Sequence, residues 1–465
     1  MMDDFAVLFA IPKGFENIPK ALDFTDTTMY YRPVSNLMRL FSSTLFPTDP
    51  FYFHAFGLIL FSIHVALIFC LVRALFKNTY VAFATAALYA VHPINGVAGN
   101  YSTGQEIALF AIWLDLSALL LAHYLDDGRK KSFYFGSIGF FILALLSQEV
   151  SLSFVFIPVL IVLQLRKTGS FGDAVKICLP YAAVAAVYVL FRAFLVTKII
   201  ERTVSYTQTM QVDIPVYLNS VFGLITWYLQ QLVFPSEIVL AKTMLPQTSG
   251  FLLKVVILVL AVILAFVYFR RRWRGNPVLF GLLWFLSGFI PLFAVALIFS
   301  YGGFMVEPHW FFYSSIGFFI MVGFFAEYLF LAAKSFWPKT LVTLACLSCF
   351  YALFSVTQIY NGIWRTQKSY CQHWVSVSPH HYFPNFWLAK SYFREKNLDQ
   401  AEYYFKRSFT GKKNDWYVYA GLGDIEAERG HYDKTKYYYQ EALKLNPDEP
   451  RVQHNIKWIE ENYTF

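Results

Sequence analysis

Phe53–Phe76 reads FHAFGLILFSIHVALIFCLVRALF, with a single charged side chain, Arg73, near its end. As a helix this stretch is about 36 Å long, which exceeds the roughly 30 Å hydrocarbon core of a bilayer. Further apolar runs follow at about 79–95, 104–125, 133–149, 151–165, 175–197, 251–269, 277–299, 311–333 and 336–358. Several are short for a full crossing and are expected to end inside the protein. With 57% hydrophobic and 15% charged residues, the 465-residue chain is too apolar for an ordinary globular surface. The expected fold is a polytopic α-helical membrane bundle.

The net charge of +8 does not point to nucleic acid, because Lys and Arg fall in short clusters between the runs. Arg73 and Lys77, Arg129–Lys131, Arg166 and Lys167, Arg270–Arg274, and Lys334 and Lys339 mark cytoplasmic connections by the positive-inside rule. The intervening connections, His92 to Gln105, Gln148-Glu149 and Tyr301 to Trp310, carry almost no Lys or Arg and are expected outside. Segment 198–250 must then begin and end outside, so its helix-like stretch 215–233 is better read as re-entrant or interfacial, although two further crossings within the segment would leave the orientation intact. Residues 1–30 hold no apolar stretch of signal-peptide length, so the first spans are expected to direct insertion. Cys346 and Cys349 have half the spacing of a metal or redox site, but they lie in an apolar run and read as inert thiols.

Beyond residue 360 the pattern changes. Ala389, Ala401, Phe405, Ser408 and Phe409 return thirty-four positions later as Gly423, Thr435, Tyr439, Ala442 and Leu443, the tetratricopeptide period. Pro447 ends the second unit, and a last helix is expected at about 450–462. Two units bury little core by themselves, so they are expected to rest on the membrane domain or a partner. The expected domains are an external loop with short helices (1–52), the membrane domain (53–358), a connector helix (359–383) and the repeats (384–465).

The unusual polar residues collect at outward ends of spans: Asp3, Asp4, Arg32, His92, Gln105, Glu106, Gln148, Glu149, Glu307 and His309. Ionisable groups at membrane depth must pair, meet water or bind something. Asp3 and Asp4 offer a general base toward an acceptor hydroxyl, or ligands for a divalent cation beside a phosphate. Arg32 could grip a phosphate or pair with Asp3 or Asp4. Glu106 and Glu149 also suit helix starts, Glu307-Pro308-His309 also suits a helix cap, and His92 before Pro93 suits a helix end. His54, His64, His123 and Asp115 read as packed or interfacial residues.

Asp3-Asp4, Tyr31-Arg32-Pro33, His92-Pro93, Ser147-Gln148-Glu149, Glu307-Pro308-His309-Trp310 and the terminal repeats, in that order, resemble the membrane-embedded C-type glycosyltransferases with tetratricopeptide repeats. The animal O-mannosyltransferases with transmembrane and tetratricopeptide domains are the best-known of these. The resemblance implies a GT-C-like bundle followed by a short tetratricopeptide α-hairpin domain. It also implies transfer of a sugar from a polyprenyl-phosphate donor to a protein or glycan acceptor on the non-cytoplasmic side. Asp3 or Asp4 would be catalytic, and Arg32, His92, Glu106, Gln148, Glu149, Glu307 and His309 would line the donor or substrate site. The family pattern has a spanning helix ahead of the acidic pair, where Met1-Met2 stand here, and Lys where Gln148 stands. The expected location is the bacterial inner membrane with repeats outside, or the endoplasmic reticulum with lumenal repeats in a eukaryote. The alternative function is a non-catalytic scaffold that recruits envelope or secretory partners through the repeats.

Overall fold

The computed structural model describes residues 13–23, 31–46, 50–100, 104–126, 130–165, 171–203, 214–239, 242–244, 275–290, 304–306, 308–409 and 415–463. Asp3, Asp4 and Glu307 lie outside these residues, as does the expected span 251–269. Two short helices come first, α1 (Ile18–Leu22) and α2 (Pro33–Leu45). Pro33 at the start of α2 suits the first turn, where its missing N–H would be unbonded anyway.

The bundle follows: α3 (Pro50–Phe76), α4 (Thr79–Val91), α5 (Pro93–Asn100), α6 (Gln105–Asp126), α7 (Lys131–Ser147), α8 (Ile157–Leu165), α9 (Phe171–Thr203), α10 (Ile214–Val233), α11 (Pro277–Ser287), α12 (Ser315–Ala332) and α13 (Phe336–Ile363). Short 3₁₀ turns at Glu149–Phe154 and Pro308–Phe311 precede α8 and α12. Five of the described helices are long and apolar enough to cross a membrane: Phe51–Phe76, Gln105–Asp126, Gly172–Leu195, Ser315–Ala332 and Phe336–Ile363. The pair α4–α5 makes a sixth if it is one span, bent by 60°. The expected run 79–95 therefore breaks at His92, which adopts extended backbone (ψ 128) because Pro93 follows it. β1 (Lys242–Met244) and β2 (Phe304–Val306) pair antiparallel, with Thr243 opposite Met305.

The central span is α6, packed against α3, α7 and α8, with 67% of its apolar window buried against 0% for α13. Lipid gives helices no hydrophobic reason to associate, so small residues at contacts matter. Gly281 of α11 and Gly317 of α12 meet backbone to backbone: a Cβ on Gly317 would stand 2.3 Å from the Gly281 carbonyl oxygen.

α14 (Gln367–Val377) leads to α15 (Tyr382–Arg394), α16 (Leu398–Ser408), α17 (Trp416–Glu428), α18 (Tyr432–Leu445) and α19 (Pro450–Asn462). Helix starts repeat at thirty-four residues, 382 to 416 and 398 to 432. The left-handed turn residues between paired helices, Lys396 (φ 59) and Gly430 (φ 77), are also thirty-four apart. Ala389 and Ala401 are fully buried, and a Cβ on Gly423 would come within 2.5 Å of the Tyr439 ring. These contacts let the helices of each hairpin close on one another. The hairpins rest on the bundle: Trp227 and Tyr228 of α10, Trp310 and Phe311, Trp364, Trp374 of α14 and Leu388 of α15 share one buried core.

Candidate site at one membrane boundary

Glu106 lies in the first turn of α6 and Asp126 at its last residue, twenty residues or about 30 Å apart. The Asp126 end carries Lys77, paired with Asp126, and is a solvated ion pair. At the Glu106 end the arrangement is denser. Glu106 is only 4% exposed and accepts from two arginines, Arg39 and Arg32, the latter at 3.5 Å. Arg32 also grips Glu149 with two nitrogens, Nε lying 2.9 Å from Oε2. This fork is the geometry guanidinium offers to planar anions. Arg192 of α9 donates to the Tyr31 carbonyl at 3.3 Å, next to Arg32, and Tyr188 one turn earlier neighbours Arg192, Glu149 and Arg32.

The local sequence explains this placement. Arg32 immediately precedes α2, and Arg39, seven residues on, lies on the same side of it. Ser35 Oγ donates to the Ser147 carbonyl at 2.8 Å, which ties α2 to the end of α7. α7 ends as Gln148 turns extended (φ −157, ψ 134), and Glu149 opens the following 3₁₀ turn. Ser151 Oγ, donating to the Ala144 carbonyl at 2.9 Å, braces that corner. Gln105 Nε2 fixes the start of α6 to the Phe53 carbonyl at 2.8 Å.

Arg32, Glu106 and Glu149 are thus brought together, and Gln148 is buried beside them with its Oε1 unbonded among the described residues. His309, in the 308–311 turn, lies within electrostatic reach of Arg32 and Glu149. Burial, then the Arg32 charge, holds its imidazole well below the ordinary histidine value, so it is neutral at neutral pH. His92 is used elsewhere: Nε2–H donates to the Leu232 carbonyl at 3.1 Å and Nδ1 accepts from the Ile94 amide at 3.2 Å. Among the described residues no group of three or more His, Cys, Asp or Glu side chains could hold a metal.

Arg39 and Arg192 were not singled out in the sequence. Arg39 was legible from its i+7 spacing to Arg32, and Arg192 from being a charge deep within an apolar run. Three guanidinium groups, Arg32, Arg39 and Arg192, thus gather around the Glu106 and Glu149 carboxylates. Such a site suits an anion with oxygen acceptors, such as a phosphate ester, whose tail can lie between spans.

No family model matches the chain. Over 99 residues, 21% of its length, it is 35% identical to protein O-mannosyl-transferase TMTC1 of Homo sapiens, and over 99 residues 34% identical to the Mus musculus protein of the same name. These stretches are 11% and 10% of the two relatives, so the likeness spans about a tenth of their length. The chain is a polytopic helical membrane protein, similar over a fifth of its length to a protein O-mannosyl-transferase.

Proposed function

We propose that the chain transfers a sugar from a polyprenyl-phosphate donor to a protein or glycan acceptor at the non-cytoplasmic face. The cluster of three guanidinium groups at the Glu106 end of α6 is the observation that supports this most. The donor phosphate sits there, drawing Arg32 partly away from Glu149, while its polyprenyl tail lies among the spans. An acceptor hydroxyl oxygen attacks the anomeric carbon, and the bond from that carbon to the phosphate oxygen breaks with inversion. The polyprenyl phosphate leaves with the electron pair, its charge met by Arg32, while Asp3 or Asp4 takes the hydroxyl proton. A divalent cation held by the same aspartates is the cofactor this chemistry admits. By the basic clusters, site and repeats face the periplasm in a bacterium or the endoplasmic reticulum lumen in a eukaryote.

Exposed rings on the hairpins, Tyr403, Tyr417, Tyr437 and Trp458, favour a second reading in which the repeats recruit a protein partner and the chain is a scaffold. Product masses after polyprenyl-phosphate sugars are supplied to purified protein separate the two. Transfer by the wild type and its loss in an Asp3→Ala/Asp4→Ala protein that still folds support the enzyme. Equal product from both proteins removes the aspartates from the mechanism, and no product from either favours the scaffold.

A further inference from the structure

Asp115 stands nine residues into α6 from Glu106, about 14 Å below the arginine rim and near mid-membrane. Its side chain is fully buried, as is that of His64 in α3. Charge at that depth is costly unless it is paired. His64 Nδ1 lies 2.6 Å from Asp115 Oδ2, and His64 Nε2 lies 3.0 Å from the Tyr89 hydroxyl. That hydroxyl donates its one proton to the Phe312 carbonyl at 2.9 Å. The Tyr89 oxygen must then accept from His64 Nε2–H, which leaves one proton between Nδ1 and the Asp115 carboxyl. Tyr313 lies beside the same carboxylate without closing a hydrogen bond of ordinary geometry.

This chain of bonds ends on the backbone that follows His309. The Phe312 amide donates to the His309 carbonyl at 3.1 Å, and Trp284 Nε1 donates to the Tyr313 carbonyl at 3.0 Å. Asn95 links the same parts, donating to the Tyr89 carbonyl at 3.0 Å and accepting from Ser315 Oγ at 3.3 Å. The Tyr313 ring meets Phe154 edge-on at 4.8 Å, and Phe154 ends the 3₁₀ turn that Glu149 begins. The buried set therefore reaches both turns of the rim site.

We propose that His64, Asp115 and Tyr89 are positioning residues: they hold the 308–313 turn, and with it His309, against the Arg32–Glu149 pair. The proposal rests on the glycosyltransferase reading for its catalytic consequence and on geometry for its structural one. Both are measured on full-length protein in lipid nanodiscs, as amide exchange of segment 308–316 and as transfer kinetics with a polyprenyl-phosphate sugar. Tyr89→Phe is expected to speed exchange of that segment roughly tenfold, the cost of one buried hydrogen bond, with the repeat hairpins unchanged. Turnover falls by a similar factor while KM moves less.

Asp115→Asn keeps an amide that donates to Nδ1 while Nε2–H still reaches Tyr89, so exchange and turnover are expected to stay within roughly twofold of wild type. Unchanged exchange in Tyr89→Phe overturns the proposal. So does an Asp115→Asn turn that opens as far as that of Tyr89→Phe, because the carboxylate would then act by its charge. Should Tyr89→Phe not fold, Asp115→Leu takes its place, and equal exchange in the Leu and Asn proteins is the overturning result. Absence of transfer by the wild type counts against the glycosyltransferase reading alone, and the exchange result then decides the positioning role.

Discussion

The membrane rim and the repeat domain each gather arginine among carboxylates, in different settings. At the rim three arginines, Arg32, Arg39 and Arg192, crowd around Glu106 and Glu149. In the repeats Arg429 alone bonds Glu402 at 2.6 Å, Asp399 at 2.7 Å and Glu426 at 2.8 Å, and Glu426 also bonds His431 at 2.9 Å. Lys406 first and then Arg429 hold the Glu402 carboxyl below its ordinary range, and those carboxylates, Glu402 first, push Arg429 further up. A guanidinium saturated by acids from neighbouring helices braces them, since Asp399 and Glu402 belong to α16 and Glu426 to α17. A cluster of guanidinium groups at a membrane boundary suits an outside anion with oxygen acceptors. The same residue type thus reads as strut in one place and as binding group in the other, and its surroundings decide which.

The strongest way to break this contrast is to exchange the losses. Arg32→Ala should lower sugar transfer roughly 10²–10³-fold, the scale for removing a group that stabilises developing charge. Comparable turnover with wild type in the folded protein would erase the distinction. The repeats are expected to respond to acid. His381 is 1% exposed at the seam of α14 and α15, where it caps α15 through the Phe383 amide and lies against Trp374. Burial holds its imidazole at about 4 against the ordinary 6.5, so between these values the unfolded chain takes up a proton that the folded repeat refuses. Stability is full above about pH 6.5 and drains as pH falls toward 4, by on the order of 3 kcal/mol. Denaturant titration of the hairpins across that range should show the loss, and His381→Asn, which keeps a capping side chain, should flatten it.

Arg429→Ala should destabilise the hairpins by about 1–3 kcal/mol in the same titration while transfer chemistry survives. Loss of transfer without loss of hairpin stability would make it a binding group after all. The smallest effect sharpens the repeat itself: Lys396 occupies the left-handed turn that Gly430 fills in the next unit. Lys396→Gly should therefore raise hairpin stability by about 0.5–1 kcal/mol, less what the exposed Lys396–Glu428 pair contributes.

Much of the architecture could be read before any coordinates. Apolar length alone marks α3, α6, α9, α12 and α13, and the return of Ala389, Ala401 and Phe405 as Gly423, Thr435 and Tyr439 marks the hairpins. The break inside 79–95 was harder, because one proline in an apolar run either kinks or ends a helix, and packing chooses. Arg32, Glu106, Glu149 and His309 stood out as charge or imidazole where lipid forbids it. Their mutual pairing did not, because it joins α2, α6 and the 149–154 turn, which are 74 and 117 residues apart in the chain. For the same reason His64 and Asp115 read as separate packed residues, although fifty-one positions apart they share a bond.

The central claim is that the guanidinium cluster at the rim holds a lipid-linked phosphate. Native mass measurement of protein titrated with polyprenyl phosphate, for wild type, Arg32→Ala and Arg429→Ala side by side, tests it most directly. The account expects one lipid phosphate retained by wild type and Arg429→Ala, and weakened at least roughly tenfold in Arg32→Ala. Equal retention by all three proteins would contradict it.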